Sequence, residues 1–422
     1  KQNIAEESLT KIKEAAISHK NIFSFTLTPE KKILQTLFVD IPFNQNTYKK
    51  SFGKTLIIGG ASGYLGAAII SGKSALYSGS RYVEIMTTKP HSMILPTHQP
   101  ELITSYKVSD FQKKIISYKN LLIGPGMSND DWSKKIFIKV KRYLSSQSEK
   151  INCVIDGGFL SILSKHPYRY NNWIMTPHIG EAAQLLNKKS SDIEADRLKA
   201  AKELQHKYGG IIILKGPKTI VQTKENSYVC NHGNQGMGTA GMGDCLAGTV
   251  LSLITLANKD DKIPSILFAT GVHSLAADII KEEAGDIGLL ASQVIIKINK
   301  LLNLTVLNIN GQELIIPGLP GVKDQIVRVR IRSRDVIVSS SKINFPITEN
   351  ELIGKILNIK TERKTAFSEL IIVLNQAKKN NVSQILRARI TTFNLKKIKL
   401  KQNDKIFIYI SSVSIDRQAY QY

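Results

Sequence analysis

The chain has 422 residues. That is room for about two to three domains and for a core that needs no disulfide or metal staple. Lys and Arg number 58 against 34 Asp and Glu, a formal charge of +24. The excess is mostly Lys scattered over the whole chain beside many Asn and Ile, so a genome-wide A/T bias is preferred over a polyanionic partner as its source. The three cysteines, Cys153, Cys230 and Cys245, show no CxxC spacing. They argue against a disulfide framework or structural zinc site and for a reducing compartment, so a cytoplasmic protein is expected. No apolar run approaches the roughly 18 residues of a membrane span. The longest candidate, 245–257, is shorter and contains Ser and Thr, so no membrane role is expected. No signal peptide opens the chain, and Lys1 in place of Met points to a truncated or processed start.

Residues 1–49 read as a polar extension or linker, with a short helix over Glu6 to Ser18 and a connector at Ile41-Pro42. From Lys54 short apolar runs alternate with amphipathic stretches. The runs are Thr55–Ile58, Arg81–Met86, Leu121–Ile123, Asn152–Ile155, Trp173–Met175 and Ile211–Leu214. Each has the length of a strand buried on both faces. Trp132, Ile136, Val140 and Tyr143 share one helical face. Ala195, Leu198, Ala201, Leu204 and Tyr208 share another, closed by Gly209-Gly210. Thr219–Gln222 and Tyr228–Cys230 read as an added hairpin, and two or three long helices follow to about Leu304. This grammar predicts an α/β domain over 50–308, a mostly parallel sheet with helices on both faces. Pro317 to Gly321 reads as a hinge. Beyond it, short strands with no long helix predict a small all-β barrel over 312–422.

The most informative stretch runs from Asn234 to Gly248. Gly241 and Gly243 let backbone approach a ligand, and an apolar helix is expected to begin near Asp244. Its first N–H groups and its dipole make an anion site. An aspartate there repels the phosphate such a site holds, unless it takes a proton from a hydroxyl that attacks that phosphate. The plain alternative is a helix N-cap.

That stretch resembles the signature of the ribokinase-like ATP- or ADP-dependent NAD(P)H-hydrate dehydratases. Other blocks resemble the family in the same order: Ile57 to Ala68, Gly124-Pro125-Gly126, Asp156-Gly157-Gly158, Thr176 to Glu181, and Lys215-Gly216-Pro217-Lys218-Thr219. The resemblance covers about 50–304. Three positions depart from the family pattern. Met242 stands for a usual Thr or Gln, Gly157-Gly158 for Ala-Asp, and Ser80 interrupts a Gly-Ala-Gly. The change at Gly158 removes a carboxylate that would help place a metal or water.

The resemblance implies repair of hydrated NADH or NADPH. Phosphorylating the ring hydroxyl with ADP or ATP, assisted by Mg²⁺, makes phosphate the leaving group. It implies Asp244 as catalytic base and Lys215, Gly216, Pro217, Lys218, Thr219, Gly241 and Gly243 as nucleotide contacts. It implies Ala68, Gly126, His178 and Asp244 as contacts to the hydrated dinucleotide. Each has an ordinary alternative: a solvated strand end for Lys215-Gly216, service to a loop backbone group for His178, helix packing for Ala68, a turn for Gly126. His273, Asp278 and Cys245 read as structural. No protein metal ligands are expected. The NAD(P)H-hydrate epimerase that usually accompanies the family does not fit in residues 1–50; it is expected either as a segment lost with the missing start or as a separate partner, and a homo-oligomer is expected.

The tail, about 312–420, resembles the TOBE domain that ends molybdate-importer ATPase subunits, through Gly318 to Ser340, Leu352 to Ile356 and Asn403 to Ile406. That implies a tetrahedral oxyanion such as molybdate as a partner. Arg328, Arg330, Arg332 and Arg334 would line one strand face. Two other functions stay open: a ribokinase-like small-molecule kinase that stops at the phosphorylated product, and an oxyanion-binding protein driven by the tail.

Overall fold

The computed structural model describes residues 22–25, 53–118, 120–146, 151–257, 261–309, 312–317, 329–342, 350–361, 366–374, 384–410 and 414–415. The helix expected over Glu6 to Ser18, the connector at Ile41-Pro42, the hinge at 318–321 and Arg328 lie outside them. The chain divides into two compact units at Asn299/Lys300.

In the first unit one sheet is built from β1 (Ile22–Phe25), β2 (Thr55–Ile58), β3 (Val83–Met86), β4 (Ile103–Ser105), β5 (Asn120–Ile123), β6 (Asn152–Ile155), β7 (Trp173–Met175), β8 (Ile211–Leu214), β9 (Ile220–Gln222) and β10 (Ser227–Cys230). Their order is β1-β10-β9-β8-β7-β6-β5-β2-β3-β4. Every pairing is parallel except the two made by β9. The chain runs outward from β2 to β3 and β4, then returns to the other side of β2 as β5. The strand order therefore reverses between β2 and β5, the place where open α/β sheets hold ligands at their carboxyl ends.

Helices cover the sheet: α1 (Leu65–Tyr77), α2 (Lys89–His98), α3 (Phe111–Ile115), α4 (Asp131–Ser146), α5 (Gly158–Lys165), α6 (Ile179–Leu186), α7 (Ser190–Ala195), α8 (Arg197–Tyr208), α9 (Met242–Ala257), α10 (Ile263–Ala284) and α11 (Ala291–Leu302). Leu56, Ile58, Leu121, Ile123, Cys153 and Ile155 pack with Ile136, Val140, Leu160 and Leu204 in one core. The intervening Ile57, Leu122 and Val154 are equally buried, on the face that α1 and α9 cover. Both faces being dry explains why these strands read as unbroken apolar runs. Helices α1 and α9 are joined by buried hydroxyls. Ser74 Oγ donates to the Cys245 carbonyl at 2.7 Å and lies 2.8 Å from Thr249 Oγ1. Ser80 Oγ donates to Ser252 Oγ at 3.1 Å, which gives the departure at Ser80 a packing role.

Some expectations need correction. The helix read through Ala195 to Tyr208 is broken at Asp196, whose carboxylate caps α8 by accepting from the Lys199 N–H at 3.0 Å. Helix α9 begins at Met242, earlier than expected. Strand β1, inside the stretch read as an extension, adds to the sheet edge beside β10, with Phe23 stacked on Tyr228 at 5.6 Å. Helix α10, with 22 residues, is long and apolar enough to cross a membrane by length and composition, contrary to the expectation that no run is. About two-thirds of its most apolar window is buried in the protein, and it packs on α9.

The second unit holds the hairpin of β11 (Leu304–Ile309) and β12 (Gln312–Pro317), and the short pair β13 (Val329–Arg330) and β19 (Ser414–Ile415). It also holds an antiparallel sheet of β14 (Val336–Ser339), β15 (Asn350–Thr361), β16 (Phe367–Leu374), β17 (Ile385–Thr391) and β18 (Lys405–Ile410), ordered β14-β18-β15-β16-β17. Leu352, Ile356, Leu370, Ile372, Ile406 and Ile408 alternate onto its buried face. The unit is not all-β, because α12 (Thr392–Ile398) follows β17, its N-terminus capped by Thr391 Oγ1. The expected arginine face does not continue along a strand either. Arg332 precedes a 3₁₀ turn that contains Arg334, and among the described residues 329–334 only Val329 and Arg330 are strand.

Candidate active site

The sequence blocks singled out above meet at the carboxyl ends of β2, β5, β6, β7 and β8. After β2 and β5, two glycine turns interlock: the Gly60 N–H donates to the Pro125 carbonyl and the Ala61 N–H to the Gly126 carbonyl, both at 2.8 Å. Gly126 has φ +64°, and a side chain there would stand 2.4 Å from the Tyr64 carbonyl. Ala68, on the first turn of α1, is fully buried, and its methyl group would lie 3.2 Å from a Cβ on Gly60. Its side chain therefore supports the first glycine turn. The departure at Gly158 also has a physical reason. A Cβ there would be 2.0 Å from the Met127 carbonyl, so the chain passes too close for the missing aspartate.

Asp156, just past β6, is 2% exposed. Its Oδ1 accepts from Thr176 Oγ1 and from Lys215 Nζ, each at 2.7 Å. Thr176 directly follows β7 and Lys215 directly follows β8, so parallel pairing of neighbouring strands brings the three together. Lys215 Nζ is also 3.8 Å from Glu181 Oε2. Glu181 in turn accepts from the His178 N–H at 2.8 Å, while His178 Nδ1 accepts from the N–H groups of Gly180 and Glu181 at 3.0 and 3.3 Å. His178 thus caps α6 through Nδ1 and keeps a ring that is 60% exposed. The service to a backbone group is the reading the geometry shows, and Nε2 lies 3.6 Å from Glu181 Oε1.

Helix α9 brings the last groups. Gly241 takes φ +91° and its carbonyl accepts from the Cys245 N–H at 2.9 Å. The first turn of any α-helix leaves N–H groups without intrahelical acceptors, and here Gly243 and Asp244 lie in it. Burial pushes the Asp244 carboxyl up to about 8; Asp156 and Glu181 add to the rise and Lys215 opposes it. Burial would lower the Lys215 ammonium, but Asp156, Glu181 and Asp244 outweigh it and hold its pKa raised. The result is three carboxylates around one lysine at a helix N-terminus.

The remaining residues of the predicted nucleotide block form the turn after β8. Thr219 Oγ1 donates to the Gly216 carbonyl at 3.1 Å, and Lys218 Nζ donates to the Asn231 carbonyl and side-chain oxygen, both at 3.3 Å. The residues read as structural support the glycine-rich stretch. Asp278 accepts from the Gly233 N–H and from Asn234 Nδ2, both at 2.9 Å. His273 is buried, hydrogen-bonded to the Met242 backbone, and its pKa is pushed down to about 4 by burial. Cys245 is buried against Ser74. Asp156 and Glu181 were not singled out as site residues from sequence; the signal was their place in the Asp156-Gly157-Gly158 and Thr176 to Glu181 blocks.

Among the described residues no three His, Cys, Asp or Glu side chains are grouped to hold a metal ion. The donors at hand are hard carboxylate oxygens, the kind that contact Mg²⁺ when it rides on phosphates and waters.

The profile of the family described as NAD(P)H-hydrate dehydratase matches residues 55–300. A bifunctional NAD(P)H-hydrate repair enzyme of Coxiella burnetii is 34% identical over 262 residues, 61% of this chain and 52% of that protein. An ADP-dependent (S)-NAD(P)H-hydrate dehydratase of Neisseria meningitidis is 31% identical over 261 residues, 59% of this chain and 85% of that one. A ribokinase-like superfamily protein of Enterococcus faecalis superposes with a TM-score of 0.58 at 24% identity, covering 67% of this chain and 96% of that one. An ADP/ATP-dependent NAD(P)H-hydrate dehydratase of Bacillus subtilis, crystallised with ATP and Mg²⁺, superposes with a TM-score of 0.54 at 22% identity, covering 64% and 95%. These two likenesses establish the ribokinase-like fold. The chain spans about half the length of the bifunctional relatives it matches. The profile covers more than half of the chain, and the chain belongs to the NAD(P)H-hydrate dehydratase family.

Proposed function

We propose that residues 50–308 return hydrated NADH or NADPH to the reduced dinucleotide at the expense of ADP or ATP. The observation that carries this reading is Asp244. It is a carboxylate raised to about 8 in the first turn of α9, beside a lysine held by Asp156. Such a group is poised to take a proton near neutral pH. Asp244 accepts the proton of the ring hydroxyl, whose oxygen then bonds to the terminal phosphorus as the bond to the departing nucleotide breaks. Phosphate leaves the ring with its C–O bond electrons, the ring nitrogen lone pair supplies the push, and a proton lost from the adjacent carbon restores the dihydropyridine.

The α9 N-terminus and Lys215 neutralise the charge that gathers on the transferring group. The turn from Lys215 to Thr219 borders the nucleotide. Gly126 and His178, beside the interlocked turns and α6, face the dinucleotide, with Ala68 supporting the first turn. Mg²⁺ supplies charge neutralisation on the phosphates, and Asp156 and Glu181 are the carboxylates that would contact it. A phosphorylated product that accumulates would instead favour the small-molecule kinase. The test is recovery of reduced-nicotinamide absorbance from hydrated NADH with ADP or ATP. No recovery with either nucleotide from folded protein would sink the reading. An epimerase acting on the opposite hydrate stereoisomer is the partner this activity calls for. The buried free cysteines Cys153, Cys230 and Cys245 support a reducing, cytoplasmic setting.

For the tail we propose a TOBE-like module that takes a tetrahedral oxyanion. Its five-stranded antiparallel sheet and the sequence resemblance support this. Thr348-Glu349-Asn350 stands where the resembled family has a Ser-x-x-Asn anion stretch, and Glu349 there would repel an oxyanion; Thr348 and Glu349 lie outside the described residues, and Asn350 begins β15. Calorimetric titration of the full chain with molybdate checks it; no binding of molybdate would remove the oxyanion from the proposal.

A further inference from the structure

Arg197 opens α8 and is 4% exposed, far from where an arginine usually sits. Burial pulls its pKa down to about 10, so the guanidinium stays charged at neutral pH. A buried charge of this kind is retained only where its donors are used. Here the two Nη groups are spent on one turn, while the buried Nε has no hydrogen-bond partner among the described residues. Nη1 donates to the Pro217 carbonyl, and Nη2 lies 3.4 Å from the carbonyls of Leu214 and Lys218. The fork therefore ties the end of β8 at Leu214 to Pro217 and Lys218 of the Lys215 to Thr219 turn.

The turn it gathers is not one the chain would adopt unaided. Lys218 takes φ +56°, a left-handed conformation costly for a residue with a side chain, and Gly216 takes φ +143°. A Cβ on Gly216 would stand 3.1 Å from Nη2. Three carbonyls turned toward one cation leave the N–H groups of the turn directed elsewhere. A planar fork with fixed donor directions holds such a shape; a flexible ammonium does not.

We propose that Arg197 is a positioning residue for the nucleotide, holding the Lys215 to Thr219 turn in the conformation that accepts ADP or ATP. This rests on the proposed assignment of that turn to the nucleotide. It is distinct from the Asp244 chemistry, so its effects separate from those of the reacting groups.

The test compares wild type with Arg197→Lys, which keeps the charge and loses the fork. Nucleotide affinity is read by equilibrium titration with ADP and with ATP, and KM is read separately for nucleotide and for hydrated NADH. The expected result is a nucleotide Kd and KM weakened by about tenfold or more, as for loss of charge-assisted hydrogen bonds, with KM for the hydrated dinucleotide within about twofold. Gly216→Ala, which crowds the fork from the other side, serves if Arg197→Lys does not fold, and is expected to weaken the nucleotide in the same way. Unchanged nucleotide affinity in a folded variant, or a rise in both KM values together, would overturn the inference. A wild type that binds nucleotide but restores no NADH counts against the proposed reaction and leaves the role of Arg197 standing.

Discussion

A Cβ on Gly243 would stand 2.8 Å from Lys215 Nζ. The glycine is what lets the lysine ammonium lie against the first turn of α9. The group displaced by a methyl is the far end of a flexible side chain, so Gly243→Ala should fold with little change in Tm. The displaced ammonium should lower kcat by about tenfold or more. Thermal melting and steady-state rates on one preparation check this; an unchanged kcat would show that the lysine need not lie there.

Asp244→Asn should abolish turnover, and its effect on stability has a definite sign. The carboxyl is raised to about 8 in the folded protein from an ordinary value of 3.8. The folded state thus holds a proton that the unfolded state releases, so stability falls as pH rises from about 4 through 8. The asparagine variant should gain in Tm over wild type at pH 8 relative to pH 4. In the wild type, activity should rise with pH toward about 8 as the base ionises.

Lys215 and Asp156 should move that activity profile in opposite directions. Lys215 opposes the rise of the Asp244 pKa and Asp156 promotes it. Lys215→Met should shift the limb to higher pH and cost about 3 kcal/mol of stability by stranding buried carboxylates. Asp156→Asn should shift it to lower pH. Rate profiles of both variants that coincide with the wild type would refute the coupling.

His273 predicts acid sensitivity. Its pKa falls from 6.5 to about 4 on burial. The unfolded chain takes up a proton that the folded protein refuses, so this stability is present above pH 6.5 and is lost as pH falls toward 4. His273→Gln should flatten the decline between those values in a melting series.

Tyr118→Phe offers a contrast. The Tyr118 hydroxyl donates to the buried carboxylate of Glu84, which also binds Lys114, and none of the three belongs to the proposed site. Losing that hydrogen bond should cost about 1–2 kcal/mol in denaturant unfolding with kcat and both KM values unchanged.

Much of the first unit was legible because its strands are buried on both faces. Runs such as Thr55–Ile58 and Trp173–Met175 stand out from any surrounding, and the structure keeps both ranges unchanged. Strand β1 was not legible, since four residues with two exposed become a strand only when β10 offers an edge. The break at Asp196 was hidden because apolar spacing continues across it, while the cap depends on one carboxylate turning back to the Lys199 N–H.

The chain order of its glycine and carboxylate blocks, and the apolar alternation between them, determined by themselves the family and the layered α/β architecture, and they make Asp244 the candidate base. Those are local signals carried by residue type and spacing. Only the tertiary structure decided what Lys215 touches. It lies 59 residues beyond Asp156, and the two meet because β6, β7 and β8 pair side by side and end together. The same holds for Arg197, whose partners lie 17 to 21 residues further along the chain. Nothing in the spacing says that its fork will turn inward; that follows from the packing of α8 against β8, which removes the guanidinium from water and leaves backbone carbonyls as its acceptors.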